Sequence, residues 1–135
     1  MVLSTLHTTS AVAAVSRLVD MGTPAFLLAP SLSLVVAQRL VRKPCSSCIE
    51  PAIPSEDVRI ALGVSLEEVT AGSPVMGRGC DQCGHSGYRG RTGIYEVLSV
   101  TPELRDALRG GGDERLVAAA AKASGVRSLR QSGMP

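Results

Sequence analysis

Residues 80–96 read CDQCGHSGYRGRTGIYE, and the interpretation of that stretch governs the rest of the chain. It opens on a C-x-x-C pair, Cys80 and Cys83, and an identically spaced pair, Cys45 and Cys48, lies upstream. The chain's four cysteines are all in these two pairs. A C-x-x-C turn lets both thiolates converge on one ion, and two such turns supply a tetrahedral set. Four thiolates suit Zn²⁺, which imposes no geometry of its own and does no redox chemistry. Gly79, Gly84 and Gly87 fit the tight turns such a site needs. Four protein ligands leave no position for a substrate, so the expected role is structural. The 31 residues between the pairs exceed a compact zinc ribbon, so that segment must fold as an excursion. Disulfides and four unrelated thiols are the competing readings. Disulfides call for an oxidising compartment, and Met1–Thr9 has neither the basic n-region nor the apolar h-region of a secretory signal. His85, two residues beyond Cys83, reads as a bystander.

Downstream of the second pair, residues 93–100 (GIYEVLSV) read as a strand. Thr101-Pro102-Glu103 is a helix start, with a cap, a proline at the first helical position and an acid in the first turn. Gly110–Gly112 stop that helix, and Asp113 opens another that runs to about Ala123. Upstream, Val2–His7 (VLSTLH) reads as a short strand, resembling a central strand of a larger sheet. Thr9-Ser10 offers a cap, after which Ala11, Ala14, Val15, Leu18 and Val19 form one helical stripe closed by Gly22 and Pro24. A second helical stretch is expected over residues 25–41, kinked or restarted at Pro30. Ser55 is placed as the cap of a short helix, EDVRIALG.

The chain has 135 residues, 44% apolar and 19% charged, with two Tyr, one Phe and no Trp. That is one domain of ordinary size or two small ones, with a core built from Ala, Val, Leu and Ile. The formal charge of +2 comes without a long block of one sign, which argues against strong nucleic-acid or anionic-membrane affinity. The most apolar run, Phe26–Val41, is broken by Pro30, Ser31, Ser33, Gln38 and Arg39 and falls short of the roughly 18–20 apolar residues of a membrane span. No G-x-x-x-x-G-K-[ST] occurs, so these residues hold no loop of that type to cradle phosphates. Nor is there an acidic strand-end motif for Mg²⁺. Gly87–Gly93 reads physically as a turn with solvated arginines. His7, at the end of the expected first strand, could face a nucleotide. A surface or core histidine fits the same pattern.

Taken together, the motifs resemble the secretion ATPases of type II secretion and type IV pilus assembly. The matches are Leu3–Thr8, like the family's histidine box; Ala37–Arg42 before the first cysteine pair; Cys80-x-x-Cys83 running into Gly87–Glu96; and Ser128–Gly133, like the family's closing segment. The resemblance implies an α/β fold: residues 1–43 as the C-terminal part of a RecA-like ATPase core, mostly helical with few strands. It further implies 44–100 as an inserted tetracysteine zinc-binding subdomain with its following strand, and 101–135 as a truncated helical segment. It implies Zn²⁺ on Cys45, Cys48, Cys80 and Cys83, His7 near the nucleotide's γ-phosphate, and subunit or partner contacts for Arg39, Arg42, Arg89 and Arg91. ATP and Mg²⁺ belong to the intact family member, a hexamer working with secretion or pilus machinery at the cytoplasmic side of the inner membrane. The family's Walker A loop and acidic boxes lie upstream of the histidine box, so the chain reads as a C-terminal fragment, inactive alone. Ser132 stands where the family usually has an acid, and Pro30 where it has a small helix-compatible residue. A free-standing zinc adaptor docking on a secretion platform or a full-length ATPase is the second reading. A zinc-ribbon nucleic-acid binder using Tyr88, Arg89 and Arg91 is the third, weakened by the lack of a basic surplus and of stacking aromatics around the cysteines.

Overall fold

Ser10 accepts a hydrogen bond from the Ala13 amide (3.0 Å) and opens the first helix, α1 (Ala11–Asp20), in the computed structural model, which describes residues 1–134. There follow α2 (Ala25–Ser31), β1 (Leu34–Pro44), β2 (Ile49–Pro51), α3 (Glu56–Leu62), α4 (Leu66–Ala71) and β3 (Val75–Gly77). A 3-10 turn (Asp81–Cys83) leads to β4 (Tyr88–Ser99), α5 (Pro102–Arg109), α6 (Glu114–Ala123) and α7 (Leu129–Ser132). The result is a mixed helix-and-strand fold with two small sheets, β1 with β4 and β2 with β3.

The chain forms two compact units. The first combines Met1–Arg39 with Ile94–Gly133. Here α2 packs on α5, and α1 and α5 both pack on α6. Val15, Leu98, Leu104, Leu108 and Val117 are fully buried at the centre. Each such aliphatic side chain stabilises the fold by about 1.5–3 kcal/mol relative to exposure. The C-terminal end of α2 is held by Arg105, whose Nη1 donates to the Ala29 carbonyl at 2.6 Å. That is the cationic cap expected where helix carbonyls run out of partners.

The second unit is Leu40–Gly93. Its antiparallel pair places Ile49 opposite Gly77, Glu50 opposite Met76 and Pro51 opposite Val75. This pairing closes the excursion between the two cysteine pairs, with α3 and α4 inside the loop.

The starts of α1, α5 and α6 follow the sequence: Ser10, Thr101 and Asp113 each accept amide hydrogen bonds from the first turn. Three expectations are corrected. Residues 25–41 are not one helix, because α2 ends at Ser31 and Leu34–Pro44 is strand β1. Residues 2–7 are not a strand; a strand needs a ladder, and among the described residues this segment has no backbone partner. The run from Tyr88 to Gly93 is not a turn but the first half of β4. Ser55 sits at the cap position of α3 without making a side-chain cap bond.

Candidate metal centre

Two backbone knuckles bring the cysteines together. Cys48 donates its amide to the Cys45 carbonyl (3.1 Å), and Cys83 donates to Cys80 (3.1 Å), so each C-x-x-C closes as a turn. The Arg78 amide bonds the Cys48 carbonyl (3.0 Å) and the Cys45 amide bonds the Gly87 carbonyl (2.9 Å), which locks one knuckle against the other. Gly79, Gly84 and Gly87 have φ of +99°, +56° and +74°, the left-handed region expected of glycines around such turns. Gly77 and Gly87 approach so closely that a Cβ on either would overlap the other's carbonyl oxygen.

The four sulfurs all lie within 4.8 Å of one another. Cys45–Cys80, Cys48–Cys83 and Cys80–Cys83 are separated by 4.0, 3.9 and 3.8 Å. A tetrahedron of sulfurs about 2.3 Å from a central ion has edges of about 3.8 Å, so the set fits a thiolate-bound Zn²⁺. All four are free thiols, against the disulfide and scattered-thiol readings. Cys45 and Cys48 are buried, and Cys80 and Cys83 are partly exposed.

Backbone amides point at the sulfurs as they would at metal-bound thiolates. Cys80 N–H and Gly87 N–H donate to Cys83 Sγ (3.2 and 3.3 Å), and Gly79 N–H donates to Cys48 Sγ (3.3 Å). The Cys80 amide, aided by Gly87, holds the Cys83 thiol down to about 6 against the opposing pull of burial. Burial pushes Cys48 up to about 11, with the Gly79 amide opposing. The two shifts run in opposite directions for one physical reason: amide donors favour the thiolate at Cys83, and burial disfavours it at Cys48.

The other residues singled out from the sequence lie elsewhere. His85 Nε2 pairs with Asp81 Oδ1 at 3.1 Å and stays outside the sulfur cluster. The Arg42 guanidinium stacks over the Tyr88 ring, 4.0 Å from its centroid, and Arg89 donates to Gln82 (3.2 Å). Arg91 is exposed. In the first unit, His7 lies on a segment without regular secondary structure and lines a groove of about 770 Å³ with Gln38 and Arg39. Arg39 reaches the Thr8 carbonyl at 3.5 Å. Two residues were not assigned a role from the sequence. Gly77 carried a usable signal, because a glycine in a short strand marks close backbone approach. Glu96 was visible only as part of a motif.

The family described as Type II/IV secretion system protein matches residues 1–135. Type II secretion system protein E of Aeromonas hydrophila is 44% identical over 115 residues, 84% of this chain and 22% of that protein. The type IV pilus assembly ATPase PilB of Pseudomonas aeruginosa is 42% identical over 135 residues, 99% of this chain and 24% of its own. Type II secretion system protein E of the same organism is 44% identical over 135 residues, 98% and 26%. This chain belongs to the type II/IV secretion system protein family. It spans between 22 and 26% of the length of these relatives.

Proposed function

We propose that the chain serves as the C-terminal portion of a type II secretion or type IV pilus assembly ATPase, with a structural Zn²⁺ held by Cys45, Cys48, Cys80 and Cys83. The observation that carries this reading is the tetrahedral sulfur set, formed by a motif within a chain that matches the family along its whole length. Zinc would supply cross-linking and charge neutralisation rather than chemistry, since four protein sulfurs leave it no open position. Residues 1–43 would be the C-terminal part of a RecA-like ATPase core, 44–100 the cysteine subdomain with its following strand, and 101–135 a truncated C-terminal helical segment. His7 would lie near the γ-phosphate, and Arg39, Arg42, Arg89 and Arg91 would serve subunit or partner contacts. The assembly would be hexameric and act at the cytoplasmic face of the inner membrane. No helix among the described residues is long and apolar enough to cross a membrane, which is compatible with a peripheral position.

In phosphoryl transfer most of the catalysis is positioning and electrostatic stabilisation of the phosphates. These residues contain no G-x-x-x-x-G-K-[ST], so the chain by itself should not turn over ATP. The experiment pairs metal analysis of protein purified without added zinc with phosphate release under Mg²⁺ and ATP. One zinc per chain and no release above background are expected, and Cys80→Ser should weaken the metal site. A stoichiometry near zero with four readily alkylated thiols would remove the zinc assignment. Turnover abolished by His7→Ala would show that the chain builds a hydrolytic site of its own.

A further inference from the structure

The Gly93-Ile94-Tyr95-Glu96 stretch ends on a carboxylate that is only 5% exposed. Among the described residues no Lys, Arg or His forms an ion pair with it. Its two oxygens instead go to two helices remote in sequence. Oε1 accepts from the Ala11 amide at 2.8 Å, and Oε2 accepts from the Leu129 amide at 3.2 Å. Ala11 is the first residue of α1 and Leu129 the first of α7. In both helices a serine before the first turn, Ser10 or Ser128, serves the amide three residues on, at Ala13 or Gln131. Glu96 therefore serves a further first-turn donor at both starts, where the helix dipole favours an anion.

We propose that Glu96 is a positioning residue that fixes the starts of α1 and α7 to β4 and makes them move together. None of the residues of α7 is fully buried, Arg127 donates to its Gln131 carbonyl, and beyond its last residue Gly133 packs near Ile94 of the same strand. On the other side, Ala11 follows His7 by four residues, and of the backbone between them the Thr8 and Ser10 carbonyls accept from Arg39 and from the Ala14 amide. Among the described residues, no backbone–backbone hydrogen bond involves the segment from Met1 to Thr9. A displacement of the His7 segment is thus passed through Ser10 and Ala11 to Glu96, and from Glu96 to α7. The tie stands on these contacts alone; that it would report a nucleotide rests on the reading of His7 given above.

Amide hydrogen exchange on the zinc-loaded full chain, without nucleotide, tests the tie. In the wild-type protein, through-hydrogen-bond scalar couplings should link the Ala11 and Leu129 amide nitrogens to one side-chain carboxyl carbon. Glu96→Ala should speed exchange in both first turns by at least about tenfold, the cost of an unsatisfied buried group, and leave Val117–Ala121 unchanged. Glu96→Gln keeps one acceptor oxygen and should release one helix start only. Ala11→Pro removes the donor at a position where a helix tolerates proline, after a Ser10 that is already extended (φ −151°, ψ 169°). It should speed exchange in α7. His7→Ala should leave all these rates alone, so a failed nucleotide role for His7 is distinguishable from a failed tie. Absent couplings, a uniform rise across α5 and α6 in both Glu96 variants, or an unchanged α7 in Ala11→Pro would overturn the proposal.

Discussion

Gly87 carries three constraints at once. Its φ is +74°, its amide donates to Cys83 Sγ, and its carbonyl accepts from Cys45. A side chain there would sit in the left-handed region and would also overlap the Gly77 carbonyl. Gly87→Ala should therefore weaken zinc binding at least about tenfold, because the left-handed conformation alone costs a non-glycine residue roughly 1–2 kcal/mol. Competition with a chromophoric chelator measures this; unchanged affinity would mean that the two knuckles need not lie so close. Gly84→Ala is the comparison, since a Cβ at Gly84 meets nothing within 4 Å and only the φ of +56° is strained. At this scale the clustering of the cysteines was legible because a duplicated C-x-x-C spacing can be read without its fold. Glu96 was not legible, because its partners lie 85 and 33 residues away and nothing near it in sequence marks a buried acid.

At the scale of elements, caps divide what the sequence reveals from what it hides. α5 was readable from Thr101-Pro102-Glu103 because its start signals are local. β1 was not, because its apolar residues also fit a helical stripe and its partner strand is remote: Gln38 meets Tyr95 57 residues later. Residues 2–7 erred the opposite way, with strand-forming side chains and no ladder. α4 went unread although Ser65-x-x-Glu68 is a capping-box signature. At 6 residues with none buried, α4 depends on that cap. The Ser65 amide (2.7 Å), and then the Ser65 hydroxyl, hold the Glu68 carboxyl below its usual value. A depressed folded-state pKa gives stability that is complete above the unfolded value and is lost as pH falls through the folded one. The cap should thus be intact at neutral pH and fail only in acid, below the ordinary glutamate range. The Ser65 amide proton shift should follow that titration, and Glu68→Gln should flatten it. A shift independent of pH in the wild type would show that the carboxylate does not hold this helix.

For the whole molecule, the two units rest on different physics. The first has an aliphatic centre: Val15, Leu98, Leu104, Leu108 and Val117 are sealed from water. In the second, the buried residues among those described are Cys45, Cys48 and Gly87, while Ile53 and Ile60 remain 61 and 70% exposed. A unit of that size without an apolar core is not expected to hold by burial alone, and metal-binding free energy is the available substitute. Removing zinc should therefore act selectively. Hydrogen exchange on zinc-loaded protein should show slow amides around Cys80–Leu98 and fast ones over residues 2–9, where Val2 and Leu3 are 92 and 85% exposed. Added chelator should speed exchange throughout residues 45–93 and leave Leu104–Leu108 and Val117–Ala121 near their original rates. If the cysteine unit keeps its protection without metal, side chains other than the four sulfurs must hold it together. If both units lose protection in parallel, zinc supports the whole chain rather than the unit that carries its ligands.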